Sequence, residues 1–177
     1  MRDRLILVFL ALVVAGCFGH LVYPSGPFSG RVVDATTGQP LAGAAVVAVW
    51  RQEGPGPGHP TERLHDALEV VADGDGYFTL PRKTHFTSVG SISDPYIVVY
   101  SPGYQDELLQ GRRFRESDAK DRPFTVALTR PAASERRRFA GIPSGVGLTS
   151  FAKIPNLVRL VNVERVSLGL EPLYEDK

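Results

Sequence analysis

Short apolar runs alternate with turn residues along the middle of the chain. The runs are rich in Val, Ile, Phe and Tyr, and Gly, Pro, Asp and Ser separate them. Runs of this length and composition are typical of β-strands that pack in a sandwich, rather than of helices. We therefore predict six strands, at Phe28–Asp34, Ala44–Arg51, Leu64–Ala72, Tyr77–Pro81, Tyr96–Ser101 and Phe124–Thr129.

The second predicted strand is apolar at both of its alternating positions. One side would carry Ala44, Val46, Ala48 and Trp50, and the other Ala45, Val47 and Val49. One face of such a strand can meet the opposite sheet of a sandwich, so another element has to cover the second face.

The composition changes after Arg130. A polar linker covers Pro131–Arg138, and helical spacing follows at Ile154, Leu157, Val158, Val161 and Leu168. Asn156 is placed to cap this amphipathic helix, and Gly169 with Pro172 to end it. We expect the helix to pack across the outer sheet face; the alternative is that the helix or the sheet face binds a partner.

The first residues have the pattern of a secretory signal. Arg2 and Arg4 precede an unbroken apolar run, Leu5–Val14. The next residues, Val14-Ala15-Gly16-Cys17, resemble a bacterial lipobox, and this resemblance implies a signal peptide at 1–16, acylation of Cys17 and a tether at 17–27. With Phe18 after the cysteine, the chain resembles Gram-negative lipoproteins that have a residue other than Asp at this position, and this resemblance implies the outer membrane in a Gram-negative host. The alternative is an uncleaved anchor helix reaching about Tyr23.

Charge and cysteine content limit the possible functions. The formal net charge is +1, and removal of residues 1–16 would leave a neutral chain. A neutral protein is not an electrostatic binder of nucleic acid, so we expect no nucleic-acid partner. Cys17 is the single cysteine, which excludes an intramolecular disulfide and leaves lipid attachment as its simplest use.

Two hairpin-like blocks carry a family resemblance. They are Gly30-Arg31-Val32-Val33-Asp34 followed by Thr37-Gly38-Gln39-Pro40-Leu41, and Val70-Val71-Ala72-Asp73-Gly74-Asp75-Gly76-Tyr77-Phe78. Together with the later strands they resemble carboxypeptidase regulatory-like domains. The resemblance covers 28–130 and implies an all-β, Greek-key β-sandwich of the transthyretin-like type, followed by a linker and the C-terminal helix at 131–177.

Candidate catalytic and metal-binding residues have structural explanations. His59 and Glu62 have the His-x-x-Glu spacing of zinc peptidases, but they lie in a Gly/Pro loop that offers no rigid ligand set. Asp73-Gly74-Asp75-Gly76 predicts a tight turn rather than a calcium loop. His20, His59, His65 and His85 accompany no nucleophile motif, and structural or solvent-exposed roles are expected for all four. No catalytic residue, metal or cofactor is therefore predicted.

Two arginine clusters are predicted to be solvated surface charge. They are Arg112-Arg113-Phe114-Arg115 and Arg136-Arg137-Arg138, and the alternative is contact with anionic lipid or polysaccharide.

The sequence thus predicts a non-catalytic cell-envelope lipoprotein that recognises a protein or glycan through its long loops or a sheet edge. A lipid anchor at Cys17 would attach the protein to the membrane. Two alternatives remain, a transthyretin-like hydrolase and a spacer with no ligand. A hydrolase would need His59, His65 and His85 to converge; the terminal Tyr-Arg-Gly-Ser of hydroxyisourate hydrolases is missing.

Overall fold

The computed structural model describes residues 22–59, 61–114, 124–147 and 149–173. The chain is mostly β-strand in these parts, and an α-helix, α1, covers Pro155–Ser167. The ten strands are β1 Val22–Ser25, β2 Phe28–Asp34, β3 Ala45–Gly54, β4 Thr61–Val71, β5 Tyr77–Leu80, β6 Lys83–Phe86, β7 Ser91–Ile92, β8 Tyr96–Tyr100, β9 Glu107–Gln110 and β10 Phe124–Leu128. All six predicted strands are present, as β2, β3, β4, β5, β8 and β10.

The strands form two main sheets and a short ribbon. One sheet has the order β10-β2-β5, with β10 parallel and β5 antiparallel to β2. The larger sheet has the order β4-β3-β8-β9, all antiparallel, and β7 pairs with the end of β3. The two sheets enclose a core to which both contribute large side chains, including Phe28, Trp50, Leu80 and Ile97.

Strand β3 lies at the centre of the molecule and is covered on both faces. Val46 and Trp50 face the core between the sheets, whereas Ala45, Val47 and Val49 face the other way, and all five are at most 1% exposed. The second face is covered by Ile154, Leu157, Val158, Leu160 and Val161, the last four of which belong to α1. The predicted packing of the helix on the outer sheet face is confirmed.

The start of α1 differs from the prediction, because Asn156 does not cap it. The helix begins with Pro155, a favourable first residue because its missing N–H needs no partner. Glu69 of β4 supplies the cap from the sheet. Its carboxylate accepts hydrogen bonds from the backbone N–H groups of Asn156 (2.9 Å) and Leu157 (2.6 Å) and from the Asn156 side-chain amide (3.0 Å).

The end of α1 agrees with the prediction. Gly169 has a φ of +68°, its N–H donates to Val166, and the N–H of Leu170 donates to Arg165. These two bonds form a Schellman motif, which satisfies carbonyl groups at the end of the last turn.

The expected irregular tether at 17–27 is folded in part. Val22–Ser25 forms β1, which pairs with β6. This pairing continues the register between β2 and β5, because Phe28 faces Leu80, and Ser25, three residues before Phe28, faces Lys83, three residues after Leu80. The ladder is interrupted only at 26–27 and 81–82, where prolines offer no N–H. Cys17 and the predicted signal peptide at 1–16 lie outside the described residues.

Asp34 joins the end of β2 to two distant segments. Its carboxylate accepts hydrogen bonds from the N–H groups of Thr36 (2.8 Å) and Thr37 (2.9 Å), from the Tyr104 hydroxyl (2.8 Å) and from Arg130 Nε (3.0 Å). The bond from Thr37, followed by those from Tyr104, Arg130 and Thr36, holds the pKa of Asp34 well below its ordinary value. Asp34 therefore forms the turn at the end of β2 and also fastens the segment that follows β10.

Candidate functional site

A cluster of two histidines and the single tryptophan lies between the larger sheet and the β1–β6 ribbon. We call Trp50 of β3, His65 of β4 and His85 of β6 the His–Trp cluster. The ring centroids of Trp50 and His85 are 4.6 Å apart, and those of His65 and His85 are 5.2 Å apart with the rings edge to face. The Trp50 indole N–H donates to the buried Ser25 hydroxyl at 2.9 Å, which ties β1 to the cluster.

A β-bulge places His65 in this position. Trp50 faces Asp66 and the next residue, Arg51, faces Leu64, so His65 has no opposite residue in the ladder. An unpaired residue of this kind bends its strand and redirects the side chain. The bulge is therefore the reason that His65 reaches the ring of His85.

Asp66 provides the charge next to the cluster. Its carboxylate binds the ammonium groups of Lys153, at 2.7 Å, and of Lys83. Burial alone would raise the pKa of Asp66, but the bonds from Lys153 and Lys83 lower it to about 2. The Lys83 ammonium also lies 5.8 Å from the centre of the Trp50 ring. The same carboxylate thus joins the β1–β6 ribbon to the segment before α1.

His85 is buried and neutral at physiological pH. The residue is 3% exposed, and its Nε2 atom has no hydrogen-bond partner among the described residues. Burial lowers the pKa of His85 below its ordinary value of 6.5. The nearby His65 and Lys83 lower this pKa further, whereas the charge of Asp66 raises it. A general base has to come within hydrogen-bond distance of its substrate, and His85, at 3% exposure, offers little surface for such a contact. The arrangement is suited to packing and to sensing protons.

The structure brings together two of the three histidines that a hydrolase would need. His65 and His85 meet in the His–Trp cluster, whereas His59 lies in the hairpin between β3 and β4. The carboxylate of Glu62, the partner of His59 in the zinc-like spacing, instead binds Arg51 at 2.9 Å. In the described parts of the chain, no group of three or more possible ligands is arranged to hold a metal ion.

The Asp73 turn has the predicted form. One carboxylate oxygen of Asp73 accepts hydrogen bonds from the N–H groups of Asp75 (3.0 Å) and Tyr77 (2.8 Å), and Gly76 takes a φ of +80°. The carboxylate is therefore engaged in forming the turn between β4 and β5.

The arginines of the second cluster form ion pairs and hydrogen bonds, whereas the prediction was solvated surface charge. Arg136 forms a two-point ion pair with the buried Glu164 of α1, at 3.1 and 2.8 Å. Arg137 donates to the Leu168 carbonyl at the end of α1, and Arg138 lies 3.6 Å from Glu135. Arg136 thus helps to hold the helix instead of being solvated. In the first cluster, Phe114 is fully buried in the core between the sheets.

The described part of the chain also has concave surfaces outside the His–Trp cluster. A groove of about 1020 Å³ runs along the solvent side of α1, where Val163 and Val166 are 50% and 61% exposed. Phe151 and Asn162 in this groove are engaged in further interactions. An open bowl of about 540 Å³ lies where the β3–β4 hairpin meets Gly90 and Ser91.

A polar network shapes the bowl. The buried side-chain amide of Gln52 donates to Thr87 and to the Val89 carbonyl, and its oxygen accepts from Arg63 at 3.0 Å. Gln52 thereby fixes the β6–β7 loop against β3 and β4. The backbone there is closely packed, because a Cβ on Gly90 would lie 1.8 Å from the Glu53 carbonyl oxygen.

No helix in the described ranges has both the length and the hydropathy that a membrane span requires. Comparison of the chain with protein-family models, with curated proteins and with solved structures gives no match.

Proposed function

We propose that this protein is a non-catalytic lipoprotein of the cell envelope that acts as a binding or structural module. The observation that carries the proposal is the position of Cys17. The cysteine follows an apolar run and small residues, and only the four residues 18–21 separate it from Val22, where the first described strand begins. A lipid on Cys17 would hold the domain directly at a membrane surface. In that reaction the Cys17 sulfur forms a bond to the glyceryl carbon of a phospholipid, whose phosphate-containing headgroup leaves.

The state of the polar side chains supports a non-catalytic role. His85 is buried against Trp50, Asp34 is enclosed by four donors, and Glu164 is paired with Arg136. These groups stabilise contacts between distant segments. A hydrolase of the transthyretin-like type would need His65 and His85 to face an open pocket, and the 3% exposure of His85 argues against it.

We further propose that the strands follow the transthyretin-like, carboxypeptidase regulatory-like order. Support comes from the hairpin-forming blocks, because Asp34–Gly38 and Asp73–Gly76 form tight turns at the places where the resemblance expects them. A domain of this kind serves many functions, so the fold alone does not identify a ligand.

Acylation is tested by growing cells that express the chain with radiolabelled palmitate. The wild-type chain should incorporate label and remain with the membranes, and Cys17→Ser should do neither. Mass spectrometry of the N-terminal peptide then locates the lipid. Unlabelled wild-type protein in the soluble fraction would refute the proposal.

The binding role is tested separately on the acylated protein. Protein adducts after cross-linking in intact cells indicate a protein partner, and co-sedimentation with purified cell-wall sacculi indicates a glycan. If neither occurs, the module acts only as a spacer, and the proposed recognition is wrong while the anchor stands.

A further inference from the structure

The described part of the chain begins at one end of the molecule, next to the bowl. Val22, the first residue of β1, faces Phe86, the last residue of β6. The β6–β7 loop follows Phe86 directly, and the Tyr23 hydroxyl lies 3.5 Å from the Gly90 carbonyl. We call this region, formed by Val22, the β3–β4 hairpin and residues 86–91, the anchor end.

Covalent geometry keeps the anchor end close to Cys17. An extended chain advances at most about 3.6 Å per residue, so the five steps along the chain from Cys17 to Val22 reach roughly 18 Å. A folded domain of this size has a radius of gyration of about 15 Å, and a headgroup layer is roughly 5–8 Å thick. A chain lipidated at Cys17 has about 10–13 Å left after it crosses the headgroup layer, which is less than the radius of the domain, so the anchor end stays next to the bilayer surface.

The anchor end carries exposed apolar side chains. Phe86 is 68% exposed and Val89 is 54% exposed. Phe86 lies directly opposite Val22 in the ribbon, and the neighbouring pair of His85 and Tyr23 points to the interior, so Phe86 points outward. Single exposed apolar residues are common on proteins, but these two lie on the part of the surface that a short tether brings to lipid.

We propose that the anchor end of the domain rests in the headgroup region of the bilayer, with Phe86 and Val89 inserted. The domain is then held in a fixed orientation and does not swing on its tether. Glu53 is exposed at the same end, and its charge keeps the insertion shallow. The far end, with the Asp73 turn and the start of β5, points away from the membrane. This inference rests on the proposed acylation of Cys17.

The test uses the acylated protein, purified in detergent and reconstituted into vesicles of phosphatidylethanolamine and phosphatidylglycerol. Acylation consumes the sulfur of the single cysteine, so Phe86→Cys introduces the one thiol that an environment-sensitive fluorophore can modify. Two matched controls carry the fluorophore elsewhere. Tyr77→Cys, 43% exposed at the start of β5, lies at the far end, and Val166→Cys, 61% exposed, lies on the solvent side of α1.

Lipids with a nitroxide near the headgroup should quench the fluorophore at position 86 at least twofold more than at 77 or 166, and its emission should shift to the blue. All three replaced side chains are exposed, so the variants should fold. Equal quenching at 86 and 77 would overturn the proposed orientation. A fluorophore at 86 that is unquenched in pure vesicles but shielded in native membranes would also overturn it and indicate a protein partner. A chain without an acyl group at Cys17 would overturn the proposed function as well, so the two failures are distinguishable.

Discussion

Replacing Glu69 by glutamine tests how the C-terminal helix is fastened to the sheet. The Glu69 carboxylate on β4 accepts the N–H groups of Asn156 and Leu157, two of the groups that every helix start leaves without a partner inside the helix. Glutamine keeps the size of the side chain and one acceptor oxygen. It removes the negative charge and turns an NH₂ group toward a helix end that itself presents donors.

The magnitude follows from the two interactions that are weakened. Loss of a capping side chain costs about 0.5–2 kcal/mol, and a carboxylate at the positive end of the helix dipole contributes about 0.3–1 kcal/mol. We expect Glu69→Gln to lower the free energy of unfolding by about 1 kcal/mol and Glu69→Ala by about 1–3 kcal/mol. Burial of Leu157, Val161 and their neighbours contributes about 1.5–3 kcal/mol for each side chain before entropy is subtracted. The helix should therefore stay on the sheet in both variants.

Urea unfolding followed by fluorescence of the buried Trp50 measures the change. The control is Glu107→Gln on the edge strand β9, where the glutamate is exposed and the expected change is within about 0.5 kcal/mol. Hydrogen exchange should show faster opening in the first turns of α1 in the Glu69 variants. The reasoning is refuted if Glu69→Ala unfolds at the same urea concentration as the control, because the carboxylate would then contribute nothing as a cap.

Three further changes test other contacts. Tyr104→Phe removes a hydrogen-bond donor from Asp34 and should lower the free energy of unfolding most near neutral pH. The difference from wild type should shrink as the pH falls below 3.8, the ordinary pKa of an aspartate, and a difference that does not change with pH would contradict this prediction. A histidine with a lowered pKa stabilises the fold only while it is neutral, so wild-type stability, followed by Trp50 fluorescence, should fall as the pH drops below 6.5, the ordinary pKa of a histidine. His85→Phe should abolish this loss, and an unchanged profile would exclude His85 as its source. Gly90→Ala should lower the free energy of unfolding, measured by thermal unfolding, by more than about 1 kcal/mol, because residue 90 has a φ of +78° and faces a carbonyl oxygen. A variant as stable as wild type would show that the loop adapts.

Local patterns in the sequence were sufficient for the central strands and the helix. The strands β3 and β8 are continuous apolar runs, so their composition identifies them. The apolar character of both faces of β3 also predicted that a further element covers the sheet, and the stripe through Leu157 and Val161 identified α1 as that element. Such inferences succeed because the spacing of apolar residues along a helix or strand shows which face of that element is buried.

The missed strands depend on pairing between distant residues. Pro24, Gly26 and Pro27 make the segment before β2 resemble a tether, but β1 is stabilised by its partner β6, some sixty residues away. A four-residue edge strand such as β9 is similarly weak as a local signal, since Glu107–Gln110 has a mixed pattern. Propensity cannot identify strands whose stability comes from a long-range partner.

The His–Trp cluster was missed for a related reason. The sequence separation of His65 and His85 says nothing about the bulge that removes His65 from the ladder, so the sequence offers no reason to place the two rings together. The expectation of a structural role was nevertheless compatible with the burial of His85. The helix cap was assigned to Asn156 because sequence rules consider neighbours along the chain, whereas Glu69 reaches the helix from another element.

The His–Trp cluster lies where the proposed anchor joins the domain. β1 and β6 pair over four residues, and so short a ribbon is only marginally stable by itself. Its attachment to the larger sheet comes from the bond between Trp50 and Ser25, the packing of His85 on Trp50 and the ion pair of Lys83 with Asp66. His85 must be neutral to stay buried, and Asp66 must be ionised to bind Lys83. The attachment is therefore strongest near neutral pH and weakens when acid protonates His85 or Asp66, so the residues that position β1 also make its attachment sensitive to pH.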